Sequence, residues 1–400
     1  MEPQFALPLL AGLSPAQFMR RHWQKKPLVV RAAVPALLGS KPLLSRAELF
    51  KLACTEGVES RLLVKSGSRW TMKNGPFSGR GLPPLSKPGW TLLVQGVDGV
   101  NTAVHQLLQQ FRFVPDARLD DVMISFASPG GGVGAHVDSY DVFLLQASGS
   151  RRWKISKQKD LSLQPNLPLK ILKNFKAEEE FVLHAGDMLY LPPHYAHDGV
   201  AVAALGADGK ALDCMTYSIG FKSPASQSLG AELLHRLAEF GEDALEANEA
   251  PTSVQAKRYR DPQQAATANP GLLPPALTDF ARDAVKQALQ DPLAIACALG
   301  EIMTTPKPGV WFDDTPQGTS VSRRSHVTLR GKTRMMYDAD HVFMNGESYR
   351  AKGADAALMR RLADQRSLSP DELVKASNGA LELLSDWCAE GWLASTESKP

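Results

Sequence analysis

Four hundred residues exceed one average domain, and 44% hydrophobic with 22% charged residues marks a globular chain rather than a disordered or fibrous one. A formal net charge of +3 is too small to argue for nucleic-acid binding, and four cysteines with no C-x-x-C pair argue against a secreted disulfide framework or a cysteine zinc site. The start, MEPQFALPLLAGL, lacks a basic region and no apolar stretch reaches membrane-spanning length, so a cytoplasmic, membrane-free protein with reduced thiols is expected.

Short helices are predicted around Pro15 to His22 and Arg46 to Ala53. A hairpin is predicted over Ser60 to Lys73 around Ser66-Gly67-Ser68. Apolar or β-branched runs follow at Trp90 to Val97, Asp121 to Ala127, Asp141 to Ala147 and Arg151 to Ser156. EEFVLHAGDMLYLPP reads as two strands around a Gly186-Asp187 turn, and Cys214 to Phe221 as one more. So many short strands in residues 1–222 predict a β-barrel or a double-sheet jelly roll.

Beyond about Pro224 the pattern turns helical. SLGAELLHRLAEFGEDALEA has helical spacing, and Leu277, Phe280, Ala281, Ala284, Val285, Ala288 and Leu289 make an amphipathic helix ended by Pro292. The polar stretch from Pro251 to Pro270 reads as a loop, and residues 223–305 as a helical region whose apolar stripe seeks a neighbour or a second subunit. In residues 306–400, alternation in SHVTLRGKTRMMY, the Asn345-Gly346 hairpin signal and two later helices predict a winged-helix-like α+β module. Ser369-Pro370-Asp371-Glu372 is a capping box there.

The chemistry concentrates in PGGGVGAHVDSYDVFLLQ, from Pro129. Its glycines do not fit G-x-G-x-x-G, no Gly-Lys-Ser/Thr follows, and a strand rather than a helix comes next, so a phosphate cradle is excluded. On a strand, His136 and Asp138 project from one face while Val137 points away. One imidazole and one carboxylate are two thirds of the facial triad of non-haem Fe(II) oxygenases.

A second histidine must come from elsewhere, and GDMLYLPPHYAHDGV supplies candidates. His184 lies in a turn and His194 directly after the prolines, which leaves His197 in the favoured position; His22, His105, His235, His326 and His341 have no acid at metal spacing. A triad leaves room for O2 and a bidentate co-substrate such as 2-oxoglutarate. The far carboxylate of 2-oxoglutarate suits an arginine fork, from either Arg151 or Arg152. The glycines are expected to form a low-bulk rim over which a substrate backbone approaches the metal.

The run VMISFASPGGGVGAHVDSYDVFLLQ, followed by RRWKIS and GDMLYLPPHYAHDG and preceded by RHWQKKPLVV, resembles the JmjC-type ribosomal oxygenases. More narrowly it resembles their bacterial ribosomal protein-arginine 3-hydroxylases. The resemblance implies a JmjC/cupin-like double-stranded β-helix, then a helical dimerisation region and a winged helix, in a homodimer. It implies that His136, Asp138 and His197 ligate Fe(II). It further implies that Arg151 holds the distal carboxylate of 2-oxoglutarate and that Ser125 lines the same pocket. The implied substrate is an arginine of large-subunit ribosomal protein sixteen, hydroxylated at Cβ. Asp120, Asp121 and Asp141 are candidates for the acidic wall a guanidinium needs.

Ser150, the longer connection through residues 200–214 and Thr216 depart from the family pattern. Three other readings stand beside this one. They are a ribosomal-protein histidyl hydroxylase, a cupin-like metal enzyme without 2-oxoglutarate, and a non-enzymatic protein binding nucleic acid through Arg323, Arg324, Arg330, Lys332 and Arg334. Direct nucleic-acid binding is not expected, because a basic hairpin is usually a solvated surface.

Overall fold

Apolar residues run through consecutive positions of the predicted strands because both faces of the main sheet are covered. The computed structural model describes residues 3–38, 42–79, 81–206, 209, 211–246, 258–262, 273–312, 320–350 and 352–397. The chain forms two compact units, Met1–Ser223 with Pro308–Trp311, and Pro224–Lys307 with Phe312–Pro400.

The first unit holds helices α1 (Pro15–Arg21), α2 (Arg46–Ala53) and α3 (Thr102–Gln109). Its strands are β1 (Leu28–Val30), β2 (Ser60–Ser66), β3 (Arg69–Asn74), β4 (Trp90–Val94), β5 (Leu119–Ala127), β6 (Val142–Ser148), β7 (Ser150–Ser156), β8 (Glu179–His184), β9 (Met188–Leu191), β10 (Ala196–Val202) and β11 (Cys214–Phe221). An eight-stranded sheet has the order β1-β9-β6-β11-β5-β4-β2-β3, and a three-stranded sheet the order β10-β7-β8. This is the expected jelly roll.

Side chains alternate between two interiors. Ile124 and Phe126 of β5 and Tyr217 and Ile219 of β11 enter the larger core, beside Phe18, Leu49 and Val104 from the helices. Their neighbours Ser125, Thr216 and Ser218 face a cavity instead. On β6 and β9, Phe143 and Tyr190 join the larger core, while Leu144, Leu189 and Leu191 pack with Trp153 and Leu183. Each large side chain buried this way contributes roughly 1.5–3 kcal/mol. A one-residue slip would exchange the two faces, so this alternation fixes the register and with it the polar lining.

Three elements depart from expectation. Helix α3 was hidden in a stretch without strand signals, where the Asn101 side chain accepts a hydrogen bond from Val104 N–H and caps the helix. The segment after Pro192-Pro193 is not simply a loop: β10 begins at Ala196 and pairs along β7. The long connection then narrows at a bridge between Leu205 and Ala211.

The second unit contains α4 (Ser226–Glu246), α5 (Pro275–Ala288) and α6 (Pro292–Thr304). Helix α5 already stops at Ala288, and Pro292 instead starts the next: Asp291 accepts from the amides of Leu293 and Ala294, and proline occupies the first helical turn. Of the stretch from Pro251 to Pro270, only 258–262 is described.

Further on lie β12 (Ser325–Leu329), β13 (Met335–Tyr337), β14 (His341–Met344), β15 (Glu347–Arg350), α7 (Gly353–Gln365), β16 (Ser367–Leu368), α8 (Pro370–Leu373), α9 (Asn378–Ala389) and β17 (Leu393–Glu397). Asn345 and Gly346, with φ of 50° and 96°, make the predicted two-residue turn. Three helices rather than two complete the module, since the Ser369 capping box starts only the short α8. Leu362, Leu384 and Trp387 pack on Val327 and Leu329 in its core. No described helix is long and apolar enough to cross a membrane.

Candidate active site

His136 and Asp138 belong to the segment between β5 and β6, which is extended but outside the regular sheet: only His136 makes a bridge, to His197. The expected strand fails because Gly130 and Gly134 take φ of 77° and 82°, turning the chain out of the ladder. Between them, glycine permits close approach. A Cβ on Gly131 would sit 2.3 Å from the Trp90 carbonyl, and one on Gly132 2.6 Å from that of Gly199. A Cβ on Gly134 would sit 2.9 Å from the Ile171 side chain. Gly131, Gly132 and Gly134 therefore make room for the protein's own chain. That replaces the expected substrate rim.

His197 is the second residue of β10 and is buried. The N–H of His136 donates to the His197 carbonyl at 3.0 Å, and that of His197 to the His136 carbonyl at 2.9 Å. His194, the loop histidine, stays exposed with φ of 61°. Its N–H donates to the Asp138 carbonyl at 2.7 Å. His184 meets Ser150 Oγ at 2.9 Å, away from the site. His341 has an acid after all: Asp338 Oδ2 lies 3.4 Å from its Nδ1, but in the second unit.

The donor atoms of His136, Asp138 and His197 lie within 4.8 Å of one another, the one such three-residue group among the described residues. Each imidazole has its tautomer set by the main chain. Nδ1 of His136 is 2.8 Å from the Gly134 carbonyl and Nδ1 of His197 2.9 Å from that of Tyr195, so each donates there and leaves a bare Nε2. The two Nε2 atoms are 4.0 and 3.6 Å from the Asp138 carboxylate. Burial first, and then the neighbouring His136, pull the His197 pKa down to about 4. The ring is therefore neutral near pH 7, as a metal ligand must be. Two imidazoles and a carboxylate fit a divalent first-row metal.

The alternation that left Arg151 and Arg152 open is settled by β7. Arg151 is buried and lines the cavity, while Arg152 faces out beside Glu180. The Arg151 guanidinium donates through Nη1 to the Gly199 carbonyl at 3.3 Å and through Nη2 to Ser125 Oγ at 3.4 Å. Its Nε is buried without a hydrogen-bond partner. The charge lies 5.9 Å from the centre of the Trp153 ring. A buried, under-satisfied guanidinium in a cavity of about 280 Å³ fits an organic carboxylate.

Of the three acids, Asp120 lines the cavity half-buried and Asp121 lines it with both oxygens 3.0 Å from Gln95 Nε2. Asp141 does not line it. Fully buried, it accepts from Tyr190 Oη at 2.6 Å and Gln24 Nε2 at 3.1 Å, with Arg118 at 3.5 Å. Several lining residues escaped sequence reasoning. Trp153 and Tyr140 continue the alternation from Arg151 and Asp138, a signal that was available. Arg61, Leu63 and Met72 from the first hairpin carried none. Burial and the Asp138 charge push the Tyr140 phenol up, so it remains a donor.

A double-stranded β-helix with two histidines and an aspartate converging on an internal cavity, and a buried arginine across it, defines a mononuclear metal oxygenase. Comparison with known proteins agrees. A JmjC domain matches residues 106–229, and a ROXA-like winged helix matches 287–394. The chain is 30% identical over 341 residues to the ribosomal protein uL16 3-hydroxylase of Escherichia coli strain K12, covering 82% of this chain and 84% of the relative. It is 35% identical over 229 residues to a probable ribosomal oxygenase of Haemophilus influenzae, covering 56% of this chain and 53% of the relative. The E. coli ribosomal oxygenase YcfD in complex with cobalt and 2-oxoglutarate superimposes with a TM-score of 0.74 at 28% identity, covering 95% of this chain and 97% of that one. An X-ray structure of E. coli YcfD gives a TM-score of 0.78 at 27% identity, covering 99% and 100%. The chain belongs to the JmjC ribosomal oxygenase family.

Proposed function

We propose that this protein is an Fe(II)- and 2-oxoglutarate-dependent hydroxylase acting on Cβ of an arginine in large-subunit ribosomal protein uL16. One observation carries the reading: a His136–Asp138–His197 cluster shares a cavity with a buried guanidinium that has an unfilled donor. Bound Fe(II) and 2-oxoglutarate supply O2 activation, with release of succinate and CO2 and transfer of one oxygen atom to a substrate C–H bond.

The chain's own residues bind, orient and exclude water. His136, Asp138 and His197 would hold the metal through two imidazole nitrogens and a carboxylate. Arg151 would hold the distal carboxylate of 2-oxoglutarate, Ser125 orients the fork, and the Trp153 ring lies 5.9 Å from the guanidinium carbon. A cupin-like enzyme without an acidic co-substrate has no use for this buried guanidinium. Asp120, half-buried in the cavity lining, is the acid assigned to an incoming arginine, and Tyr140 in the same lining hydrogen-bonds Asp138.

Residues 1–222 are the catalytic domain in this reading, 223–305 a dimerisation region and 306–400 a winged helix that meets protein. The exposed side of α9 carries Glu382 and Asp386, with Glu390 at its C-cap, so this helix face repels nucleic-acid phosphates. Four free cysteines suit the cytoplasm.

The test is turnover of a uL16 peptide containing the arginine, and mass spectrometry of ribosomal proteins from a strain lacking the gene. We expect one added oxygen on arginine, lost in the deletion strain. An arginine unaffected by the deletion overturns the reading, and a modified histidine replaces it with the histidyl hydroxylase.

A further inference from the structure

Strand β3 ends the eight-stranded sheet: β2 pairs on one side and no described strand on the other. Ser66 and Arg69 flank the two-residue turn, so they form a hydrogen-bonded pair, and such pairs recur at every second position of an antiparallel hairpin. Val64 with Thr71 and Leu62 with Lys73 are the next two. Two further bonds confirm the phase. Gly75 N–H donates to the Ser60 carbonyl at 2.8 Å, continuing the series, while Lys65 N–H turns the other way, to Gly89 at 2.8 Å. The main-chain N–H and C=O groups of Trp70, Met72 and Asn74 therefore point to the open edge.

The side chain of Met72 points elsewhere. With its cross-strand partner Leu63, and with Arg61 one pair further on, it lines the cavity that holds the metal-ligand cluster. One residue thus offers its backbone to an incoming strand and its side chain to the active site. A guest residue placed opposite Met72 shares its sheet face, with Cβ atoms about 5 Å apart, so its side chain enters the cavity mouth.

We propose that β3 is the docking strand for substrate: an extended segment of the substrate protein adds to the sheet edge through Trp70, Met72 and Asn74, which delivers its target side chain to the triad. The proposal rests on the protein-hydroxylase reading of the cavity. A target in the middle of a chain must leave its flanking peptide groups outside the cavity, and an open edge pairs with them as they leave water. Arg69 and Lys73, both exposed, supply the edge charges that discourage pairing with a second copy. Recognition is then of an extended backbone, with side chains at every second position turned toward the enzyme.

Two measurements test this on the full-length protein. Substrate peptides are N-methylated at one backbone position at a time across the target residue. Methylation at every second position should raise KM about tenfold, the cost of a lost hydrogen bond and its unpaired partner, while the positions between and kcat stay unchanged. Hydrogen exchange with Mn(II), 2-oxoglutarate and the unmodified peptide, without oxygen, should show new protection of the Trp70 and Met72 amides. A KM series without period two, or unprotected amides at Trp70 and Met72 in the bound state, overturns strand docking even if the peptide is hydroxylated. A peptide that binds with the two amides protected and is never hydroxylated supports docking and sinks the proposed reaction instead.

Discussion

His136 and His197 exchange both main-chain hydrogen bonds across a single bridge, and their ring centroids lie 4.2 Å apart. Two candidate metal ligands about sixty residues apart in the chain are thereby held as if on one hairpin. Gly132 makes this approach possible by passing beside the Gly199 carbonyl two residues beyond His197.

Gly132→Ala should therefore damage the metal site from outside it. Its Cβ meets backbone rather than a movable side chain, so we expect destabilisation of about 1–3 kcal/mol and weaker Mn(II) binding. Gly130→Ala is the control. It has a positive φ but nothing within 4 Å of its Cβ, so it should lose about 1 kcal/mol through backbone strain and keep its metal affinity. Thermal melts and Mn(II) titration of both variants decide the matter, and equal metal affinities would refute the steric account.

Replacing Arg151 separates co-substrate binding from metal binding. Arg151→Ala and Arg151→Lys should both weaken 2-oxoglutarate binding, the alanine by about a hundredfold, since hydrogen bonds to a charged group are worth about 1.5–3 kcal/mol. Lysine keeps the charge but loses the fork, and it should recover only part of the loss. Calorimetry with Mn(II) and then 2-oxoglutarate reads the two steps separately, and Mn(II) affinity should not move.

Buried His197 makes the metal-free protein sensitive to acid. Its pKa is about 4 in the folded chain against an ordinary 6.5, so between these values the unfolded chain binds more protons. Its contribution to stability is complete above about pH 6.5 and disappears as pH falls toward about 4, by at most about 1.4 kcal/mol per pH unit. Urea denaturation of the metal-free protein over this range should show that slope, and His197→Ala should flatten it.

Asp141→Ala should behave as a stability mutation. The carboxylate is fully buried among Tyr190, Gln24 and Arg118, so its loss should cost about 3–5 kcal/mol by stranding Arg118 and the tyrosine hydroxyl. Asp120→Ala should instead leave the melting temperature nearly unchanged and raise KM for an arginine peptide. If Asp141→Ala raised KM without lowering stability, the placement of these two acids would be wrong.

Period two was the part of the fold most open to sequence reasoning. It gave the strands, and it paired His136 with Asp138 even though the segment proved to lie outside the ladder. It could not choose between Arg151 and Arg152, because an arginine suits the cavity face of β7 and its solvent face alike, and only pairing with β8 and β10 sets the phase. Asp141 was misplaced for a related reason. A buried acid with three polar partners looks, in one dimension, like an acid at the edge of a strand. Cavity residues from the first hairpin were invisible because Arg61, Leu63 and Met72 are an ordinary strand pattern until the sheet closes around them. Helix α6 was missed where Pro292 reads equally well as an end and as a beginning.

The reciprocal main-chain hydrogen bonds between His136 and His197 have a consequence for redesign. Since the backbone bridge fixes where these two side chains start, a different side chain placed there begins from the same Cβ and changes the donor atom and its reach. The bridge is a socket whose contacts can be rewired: cysteine at position 197 would offer a soft donor, glutamate at 136 a hard one, each directed at the same cavity. Metal preference in this fold is thus separable from folding, and a library confined to those two positions would sample coordination chemistry without rebuilding the barrel.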